Sequence, residues 1–245
     1  MRILDDGTAV ADTCPVCGLP AEDVRLVNGR WVSWPMLHPH DLPESERRYG
    51  DTAAVRLRQC YGTQSALDAY GGCSIDGVAA PQKVDGAARQ LVADIASEPR
   101  GKRRGLVVYG RNGVGKTYLA AAVANEVIAG GGKARWVRLE PLIRKGSQAV
   151  ELELRRLCSK SVDLVVLDDF GSESETSFSV AQLFGIVDAL YVAKATLLVT
   201  TNLTRGQIAN PSSTEARRTL DRLKELCRCV EYDGPNKRQQ AMRGA

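Results

Sequence analysis

The sequence predicts an α/β fold in which helices flank a parallel sheet, preceded by a smaller N-terminal module. From residue 81 on, short apolar segments alternate with longer segments of helical periodicity, whereas residues 1–80 contain turn residues and little periodicity. Alternating strands and helices require crossover connections, which place helices on both faces of a parallel sheet. We therefore divide the chain into an N-terminal module of residues 1–80 and a main domain of residues 81–245.

The elements of the main domain follow from their hydrophobic spacing. Apolar residues three and four positions apart indicate helices, and short apolar runs between turn residues indicate strands. The predicted helices cover residues 84–96, 117–128, 141–159, 178–193 and 214–226. The predicted strands cover residues 106–109, 134–139, 162–167, 196–200 and 229–232.

The composition excludes several classes of protein. A hydrophobic content of 44% with 25% charged residues argues against general disorder. No apolar run approaches the ~20 residues that a membrane helix needs, and the N-terminus lacks the apolar core of a signal peptide. We therefore expect a cytoplasmic protein with no membrane partner, whose seven cysteines do not form a disulfide framework.

The charge is distributed unevenly along the chain. Residues 1–80 contain 7 Lys and Arg against 11 Asp and Glu, whereas residues 81–245 contain 26 against 18. A basic main domain suits contact with a polyanion such as nucleic acid. The alternative is an ordinary solvated surface.

A glycine-rich loop follows the first predicted strand and opens the next helix. It fits the pattern G-x-x-x-x-G-K-[ST], whose backbone N–H groups surround phosphate oxygens at a helix N-terminus. In this pattern Lys116 reaches the β- and γ-phosphates of ATP, and the Thr117 hydroxyl ligates Mg²⁺. A chance glycine-rich turn is the alternative, but the strand and helix on either side favour the phosphate loop. The predicted nucleotide-binding residues are Gly110, Arg111, Asn112, Gly113, Val114, Gly115, Lys116, Thr117 and the adjacent Tyr118.

Polar residues follow the third and fourth predicted strands. Asp168 and Asp169 end one strand, and Asn202 follows another. Ligands of open parallel sheets bind beyond the carboxyl ends of the strands, so these side chains should face the phosphates. We assign Asp168 to Mg²⁺, Asp169 to the attacking water, and Asn202 to the γ-phosphate or that water. Plain turn or capping roles are the alternatives.

A pair of cysteines in the N-terminal module resembles half of a tetrahedral zinc site. Cys14 and Cys17 bracket two residues and are followed by glycine, so their sulfur atoms can converge on one ion. A short domain with a weak core would gain folding free energy from such a metal. A reduced structural pair or a redox pair is the alternative. The available further ligands are His38, His40, Cys60 and Cys73.

Four segments together resemble one known family. They are GRNGVGKTYLAAAVANEV, DLVVLDDFG, LLVTTNLT and RRTLDRLKELCRCVEYDGPNKR. In this order they resemble the AAA+ ATPases of the DnaC/DnaI/IstB group, whose members load replicative helicases onto DNA or assist transposases. The resemblance covers roughly residues 84–240 and says little about residues 1–80. It implies an AAA+ P-loop ATPase domain that associates with further copies of itself.

The resemblance also implies roles for residues outside the phosphate loop. Arg222 stands at the position of an arginine finger, which reaches the nucleotide of a neighbouring subunit; a surface arginine paired with Glu225 or Asp221 is the alternative. Arg238 stands at the position of a sensor that contacts the nucleotide of its own subunit, although Lys237 replaces the usual aromatic before it. Some loaders carry an N-terminal zinc module with ligands in the order Cys, Cys, His, Cys. That order implies Zn²⁺ at Cys14, Cys17, His38 and Cys60, with His40 and Cys73 as alternates.

These observations lead to one expected function and its rivals. We expect an ATP-dependent helicase loader that binds the replicative helicase hexamer through its N-terminal module and single-stranded DNA through its basic domain. Its hydrolysis of ATP to ADP and phosphate should be slow and should depend on assembly. The alternatives are an IstB-like ATPase that assists a transposase on duplex DNA, and a non-catalytic DNA-binding adaptor.

Overall fold

The computed structural model describes residues 2–3, 9–10, 22–27, 30–35, 53–171 and 177–237, with side chains for residues 53–171 and 179–237. The chain divides into two compact units, Met1–Thr52 and Ala53–Ala245. In the first unit, strand β1 (Arg2–Ile3) pairs antiparallel with β2 (Ala9–Val10). Strand β3 (Glu22–Val27) pairs antiparallel with β4 (Arg30–Pro35). Short paired strands of this kind are marginal alone and depend on further packing.

The second unit alternates helices and strands. Its described helices are α1 (Ala53–Tyr61), α2 (Gln64–Tyr70), α3 (Gln82–Ser97), α4 (Lys116–Ala129), α5 (Leu139–Arg144), α6 (Ser147–Leu157), α7 (Ser177–Val192), α8 (Arg205–Ala209) and α9 (Thr214–Leu226). Its strands are β5 (Gly105–Tyr109), β6 (Ala134–Arg138), β7 (Leu164–Phe170), β8 (Leu197–Thr201) and β9 (Cys227–Glu231). No helix in these ranges is long and apolar enough to cross a membrane.

The five strands of the second unit form one parallel sheet in the order β6-β7-β8-β5-β9. Successive side chains of a strand point to opposite faces. Leu164 and Val166 of β7 accordingly join the core beneath α3 and α4, whereas Val165 and Leu167 join the core beneath α5, α6, α7 and α9. The predicted parallel α/β sheet with helices on both faces is therefore confirmed.

The second compact unit begins at Ala53, earlier than the boundary predicted at residue 80. Helices α1 and α2 pack on α4, and Tyr61 is buried in the same core as that helix. The Tyr61 hydroxyl donates to Asn125 Oδ1 at 2.8 Å, and Asn125 Nδ2 donates to the carbonyls of Tyr70 at 2.9 Å and Cys73 at 2.8 Å. The Asn125 side chain of α4 thus holds α1 and the segment after α2 in place. Residues 53–80 therefore belong to the same unit as the five-stranded sheet.

Candidate nucleotide-binding site

A cleft of about 680 Å³ opens at the carboxyl-terminal edge of the sheet. The phosphate loop and the start of α4 form its floor, and the ends of β7 and β8 form one side. Most of the sequence-predicted site residues meet here. The cleft is lined by Tyr70, Gly77, Val78, Asn112, Gly113, Gly115, Lys116, Thr117, Tyr118, Arg138, Asp168, Asp169, Thr200, Asn202 and Lys237.

The phosphate loop needs its glycines for backbone conformation and for space. Gly113 has a φ of 81°, in the left-handed region that side chains disfavour. A Cβ atom added there would lie 2.3 Å from the Asn236 side-chain oxygen. Gly110 has a φ of 142°, and a Cβ atom there would lie 2.4 Å from the Tyr232 carbonyl oxygen. A side chain at Gly110 would therefore collide with the backbone of the C-terminal segment, whereas at Gly113 the positive φ is the stronger requirement, because the Asn236 side chain can shift.

Lys116 is buried at the first position of α4, with 7% of its surface exposed. Its ammonium group donates to the carbonyl oxygens of Gly110 at 2.8 Å and Arg111 at 2.7 Å. These bonds hold the positive charge inside the loop, beside the N-terminus of the helix. Both features attract the phosphates of a nucleotide.

Asp168 and Thr117 meet across the cleft. The Thr117 hydroxyl donates to Asp168 Oδ1 at 3.1 Å, and the Thr200 hydroxyl donates to the same oxygen at 2.7 Å. Asp168 is only 4% exposed, and this burial raises the pKa of its carboxyl group against the lowering effect of the two hydrogen bonds. A buried carboxylate beside a hydroxyl is a donor set that suits Mg²⁺, whose positive charge would reduce the energetic penalty of burial.

Asp169 takes a different orientation from its neighbour. Its φ of 62° is rare for a residue with a side chain and turns the chain sharply at the end of the strand. Its backbone N–H donates to the Thr200 hydroxyl at 2.9 Å, and its Oδ1 accepts from Asn202 Nδ2 at 2.8 Å. The structure therefore brings Asp168, Asp169 and Asn202 together as the sequence predicts. Thr200, which was not predicted, belongs to the same group because its hydroxyl forms hydrogen bonds with both aspartates. A hydroxyl residue within an otherwise apolar strand was the one sequence signal that could have identified it.

The C-terminal segment closes the cleft beside the phosphate loop. The Lys237 N–H donates to the Gly113 carbonyl at 2.9 Å, and its ammonium group donates to the Ala79 carbonyl at 3.0 Å. Tyr232 is almost fully buried beneath it, and its hydroxyl also donates to Ala79, at 3.3 Å. Lys237 thus lines the cleft itself. Arg238, the predicted sensor, lies outside the described residues.

The opposite wall comes from the segment before α3, which sequence reasoning assigned to the N-terminal module. Tyr70, Gly77 and Val78 line the cleft there. The Tyr70 ring stacks on Trp136 with centroids 5.6 Å apart and meets Tyr118 edge to face at 5.6 Å. This aromatic wall offers an apolar surface to a nucleotide base. Because this segment has weak periodicity, the sequence did not indicate that Tyr70 lines the cleft.

Arg222 lies outside the cleft of its own chain. Its guanidinium forms an ion pair with Asp188 at 2.7 Å and lies over the Tyr191 ring at 4.6 Å from the centroid. Both partners belong to α7, not to the helix of Arg222 itself. A third of its side chain remains exposed. The proposed partners Glu225 and Asp221 are not its ion-pair partners, and its role toward a neighbouring subunit remains a prediction.

The predicted zinc site is not supported by the described residues. Cys60 is 2% exposed in the core of the second unit, where burial raises the pKa of its thiol to about 12. This buried packing does not favour Cys60 as the fourth ligand, and its role toward zinc stays a prediction. Within the described ranges no three His, Cys, Asp or Glu side chains group around a possible metal position. Cys14, Cys17, His38 and His40 lie outside those ranges.

Comparison with known proteins identifies the family. The family described as IstB-like ATP binding protein matches residues 82–245, more than half of the chain. The chain belongs to this family. The sequence resemblance to the DnaC/DnaI/IstB group is thereby confirmed, and the family description supports ATP as a ligand.

Two curated proteins illustrate the range of related sequences. The replicative helicase loader DnaI of Bacillus subtilis is 27% identical over 151 residues, which is 56% of this chain and 49% of that protein. A putative ATP-binding protein in an insertion sequence of Mycobacterium tuberculosis is 27% identical over 146 residues, 57% of each chain. The chain thus matches about half the length of these relatives.

A solved structure shows the same fold. The crystal structure of DnaI superimposes with a TM-score of 0.56 at 27% identity, covering 68% of this chain and 90% of that one. The five-stranded parallel sheet with flanking helices is therefore the fold of AAA+ ATPases.

Proposed function

We propose that the protein is an ATP-dependent loader of a replicative helicase, which binds the helicase and single-stranded DNA during the initiation of replication. The observation that carries the ATPase part is the hydrogen bond from Thr117 of the phosphate loop to the buried Asp168. The match to DnaI, a replicative helicase loader, supports a replicative helicase as the partner of the protein.

The reaction is hydrolysis of ATP to ADP and phosphate. Mg²⁺ bound by Thr117 and Asp168 would neutralise charge on the β- and γ-phosphates. Lys116 exchanges its backbone carbonyls for phosphate oxygens and holds the nucleotide in line for attack. Asn202 holds the Asp169 carboxylate in place through their 2.8 Å hydrogen bond, so that Asp169 can accept a proton from the attacking water.

Hydrolysis in this proposal depends on a second copy of the chain. Arg222 would leave Asp188 and reach the γ-phosphate held by a neighbouring copy, where a guanidinium stabilises the charge of the transferring phosphoryl group. Arg222→Ala should keep ATP affinity but reduce hydrolysis by about 10³-fold, measured as phosphate release at several protein concentrations. Arg217→Ala, an exposed arginine on the same helix, is the control. Normal turnover by Arg222→Ala would assign Arg222 a structural role.

The N-terminal module would bind the helicase. We also propose that it holds zinc, through residues that lie outside the described ranges. Cys14, Cys17 and His38 remain the proposed ligands, with His40 in place of Cys60. Zinc would stabilise a short module of this kind. Metal analysis of the full chain, compared with Cys14→Ser, tests it directly: equal metal content would remove zinc from the proposal.

The decisive experiment mixes the full chain with a hexameric replicative helicase, with and without ATP, and measures complex masses by light scattering. A complex of defined stoichiometry that Lys116→Ala alters supports loading. Failure to bind under every nucleotide condition would reject loading for that helicase, while phosphate release would still report separately on the ATPase.

The alternative is an ATPase that assists a transposase on duplex DNA. The IstB-like family match and the related mycobacterial insertion-sequence protein favour it. Binding to a transposase on duplex DNA, with no binding to the helicase, would select this alternative.

A further inference from the structure

Arg138 lies in the cleft, although neither the phosphate-loop pattern nor the polar strand ends indicated it. It is the last residue of β6, where its backbone pairs in register with Asp168 of β7. It lines the cleft together with Asp168, Asp169 and Asn202. An arginine side chain is always charged in proteins. A permanent positive charge therefore lies beside the residues assigned to Mg²⁺ and to the attacking water.

No structural role accounts for this arginine. Arg138 is exposed, and its guanidinium forms no hydrogen bond or ion pair with another residue in the described part of the chain. It occupies the N-cap of α5 without a capping hydrogen bond, and the helix dipole disfavours a cation there. By contrast, Arg135 of the same strand donates to the Gln59 carbonyl at 2.7 Å. The guanidinium of Arg138 is therefore available to a ligand in the cleft.

The sheet order places Arg138 across the cleft from the phosphate loop. Outward from the loop, which follows β5, the neighbouring strands are β8, β7 and β6. At a spacing of about 4.8 Å between strands, the end of β6 lies about 14 Å from the end of β5. Lys116 of the loop reaches the β- and γ-phosphates. The γ-phosphate of a bound nucleotide should therefore lie between Lys116 and Arg138.

The length of the phosphate chain then decides whether Arg138 has a partner. The γ-phosphate is the part of the nucleotide that extends furthest from the loop, over the ends of β7 and β8. A guanidinium can donate two parallel hydrogen bonds to one phosphate group. ADP ends one phosphate earlier and would leave Arg138 without this contact.

The charges in this part of the cleft favour the same choice. Burial raises the pKa of Asp168, and the charge of Arg138 is among the influences that lower it, so the two groups interact. A Mg²⁺ ion bound by Asp168 would be repelled by Arg138 unless negative charge lay between them. The γ-phosphate would supply that charge, whereas ADP would not.

We propose that Arg138 is a specificity-determining residue, which contacts the γ-phosphate of the nucleotide bound in its own subunit and so favours ATP over ADP. This inference rests on the proposed ATPase activity and adds to it an arginine of the same chain, distinct from the one expected from a neighbouring copy. It does not depend on the helicase or the transposase, because nucleotide affinity alone reports on it.

Nucleotide affinities of the full chain test the proposal. Calorimetric titration in the presence of Mg²⁺ measures the binding of ADP and of AMPPCP, a triphosphate analogue that is not hydrolysed. Arg138→Ala removes the guanidinium, and Arg138→Lys keeps the positive charge without the planar set of donors. Arg144→Ala is the matched control, because Arg144 is an exposed arginine of the adjoining helix α5 and does not line the cleft.

The alanine variant should lose affinity selectively. Arg138→Ala should bind AMPPCP about 10- to 100-fold more weakly, and ADP within about twofold of the unmodified protein, because only the triphosphate loses a charged hydrogen-bond partner. Arg138→Lys should lie between these two proteins, since it keeps the charge but not the bidentate contact. Arg144→Ala should match the unmodified protein for both nucleotides. The ADP affinity of each variant also shows that its cleft is folded.

Three results would overturn the assignment: unchanged AMPPCP affinity in Arg138→Ala, equal weakening of both nucleotides, or a lysine variant that binds no better than the alanine variant. If the unmodified protein bound neither nucleotide, the proposed ATPase would fail, and this inference with it. A selective loss in Arg138→Ala without any helicase complex would reject loading alone and uphold the role of Arg138.

Discussion

The two edges of the sheet use charge in opposite ways. At the carboxyl edge, Lys116 and Asp168 are buried, and each is held by at least two hydrogen bonds of defined length. At the amino edge, Lys102, Lys160 and Lys194 are exposed. The first edge can select a ligand by geometry, because its charges have fixed positions. The second can attract a ligand only by charge density, which is sensitive to salt.

This difference predicts how each edge responds to substitution. At the carboxyl edge, substitution of a single side chain should have a large effect on ATP binding or hydrolysis, because each buried group forms hydrogen bonds that its neighbours need. At the amino edge, single substitutions of the exposed Lys102, Lys160 or Lys194 should have little effect. The following four predictions test the first half of this contrast, in order of decreasing effect.

Lys116→Ala should have the largest effect, because it removes ATP binding and with it the hydrolysis that depends on binding. The substitution removes the buried ammonium group of the only lysine in the phosphate loop. ATP affinity should therefore fall by at least about 100-fold, or about 2.7 kcal/mol. Titration with a fluorescent ATP analogue measures it, with Lys145→Ala as an exposed control. Retained affinity in Lys116→Ala would contradict the assigned site.

Asp169→Asn should separate binding from hydrolysis. Its amide cannot accept a proton from water, so phosphate release should fall by about 10²–10⁴-fold. ATP affinity should change little, because Asp169 is assigned to the water and not to the phosphates. Parallel loss of affinity would show that Asp169 holds the nucleotide instead.

Gly113→Ala should weaken ATP binding by about tenfold, because an added Cβ strains a φ of 81° and meets the Asn236 side chain at 2.3 Å. Gly234→Ala is the matched control in the C-terminal segment, since no atom lies within 4 Å of an added Cβ there. Calorimetric titration of both variants checks this expectation. Equal affinities would mean that the C-terminal segment moves away at little cost.

Without nucleotide, Asp168→Asn should have the smallest effect, on stability alone, although hydrolysis should also fall because the substitution removes the proposed Mg²⁺ ligand. Burial raises the pKa of Asp168 above its ordinary value of 3.8, so the folded state holds the proton to higher pH than the unfolded chain. The stability from this group is complete below 3.8 and is lost as pH rises through the raised pKa. An uncharged Asn avoids that loss.

The melting temperature of Asp168→Asn should therefore exceed that of the unmodified protein by about 2–4 °C at neutral pH, with the difference vanishing in acid. Thermal unfolding from acid to neutral pH measures it, and the exposed Asp68→Asn should show no such trend. A lower melting temperature at neutral pH would indicate that the carboxylate is stabilised by its hydroxyl partners.

The carboxyl edge was largely predictable because its residues obey local rules. The phosphate loop has a fixed spacing, and Asp168, Asp169 and Asn202 each end an apolar strand. The parallel sheet follows from the same alternation of elements. No local rule connects Arg222 with Asp188, which lies 34 positions earlier in the chain, because that pairing depends on how α7 and α9 pack.

Two further features also escaped prediction for physical reasons. Tyr70 becomes a wall of the cleft only because Asn125 holds the carbonyls of its segment, which depends on the tertiary fold. The positive charge at the amino edge of the sheet is scattered over the five segments that lead into the strands, so it is visible only after the sheet has been assembled. The burial of Cys60 in a core also depends on helix packing, which no local pattern in the sequence indicates.

The hydrogen bonds from Lys116 to the carbonyls of Gly110 and Arg111 have a consequence for nucleotide exchange. A nucleotide entering the loop must compete with the main chain for the same ammonium group. Binding therefore swaps one set of acceptors for another, and part of the attraction to phosphate is cancelled. When the nucleotide departs, the carbonyls recapture the lysine, which limits the barrier to release and suits a protein that cycles between two occupancies.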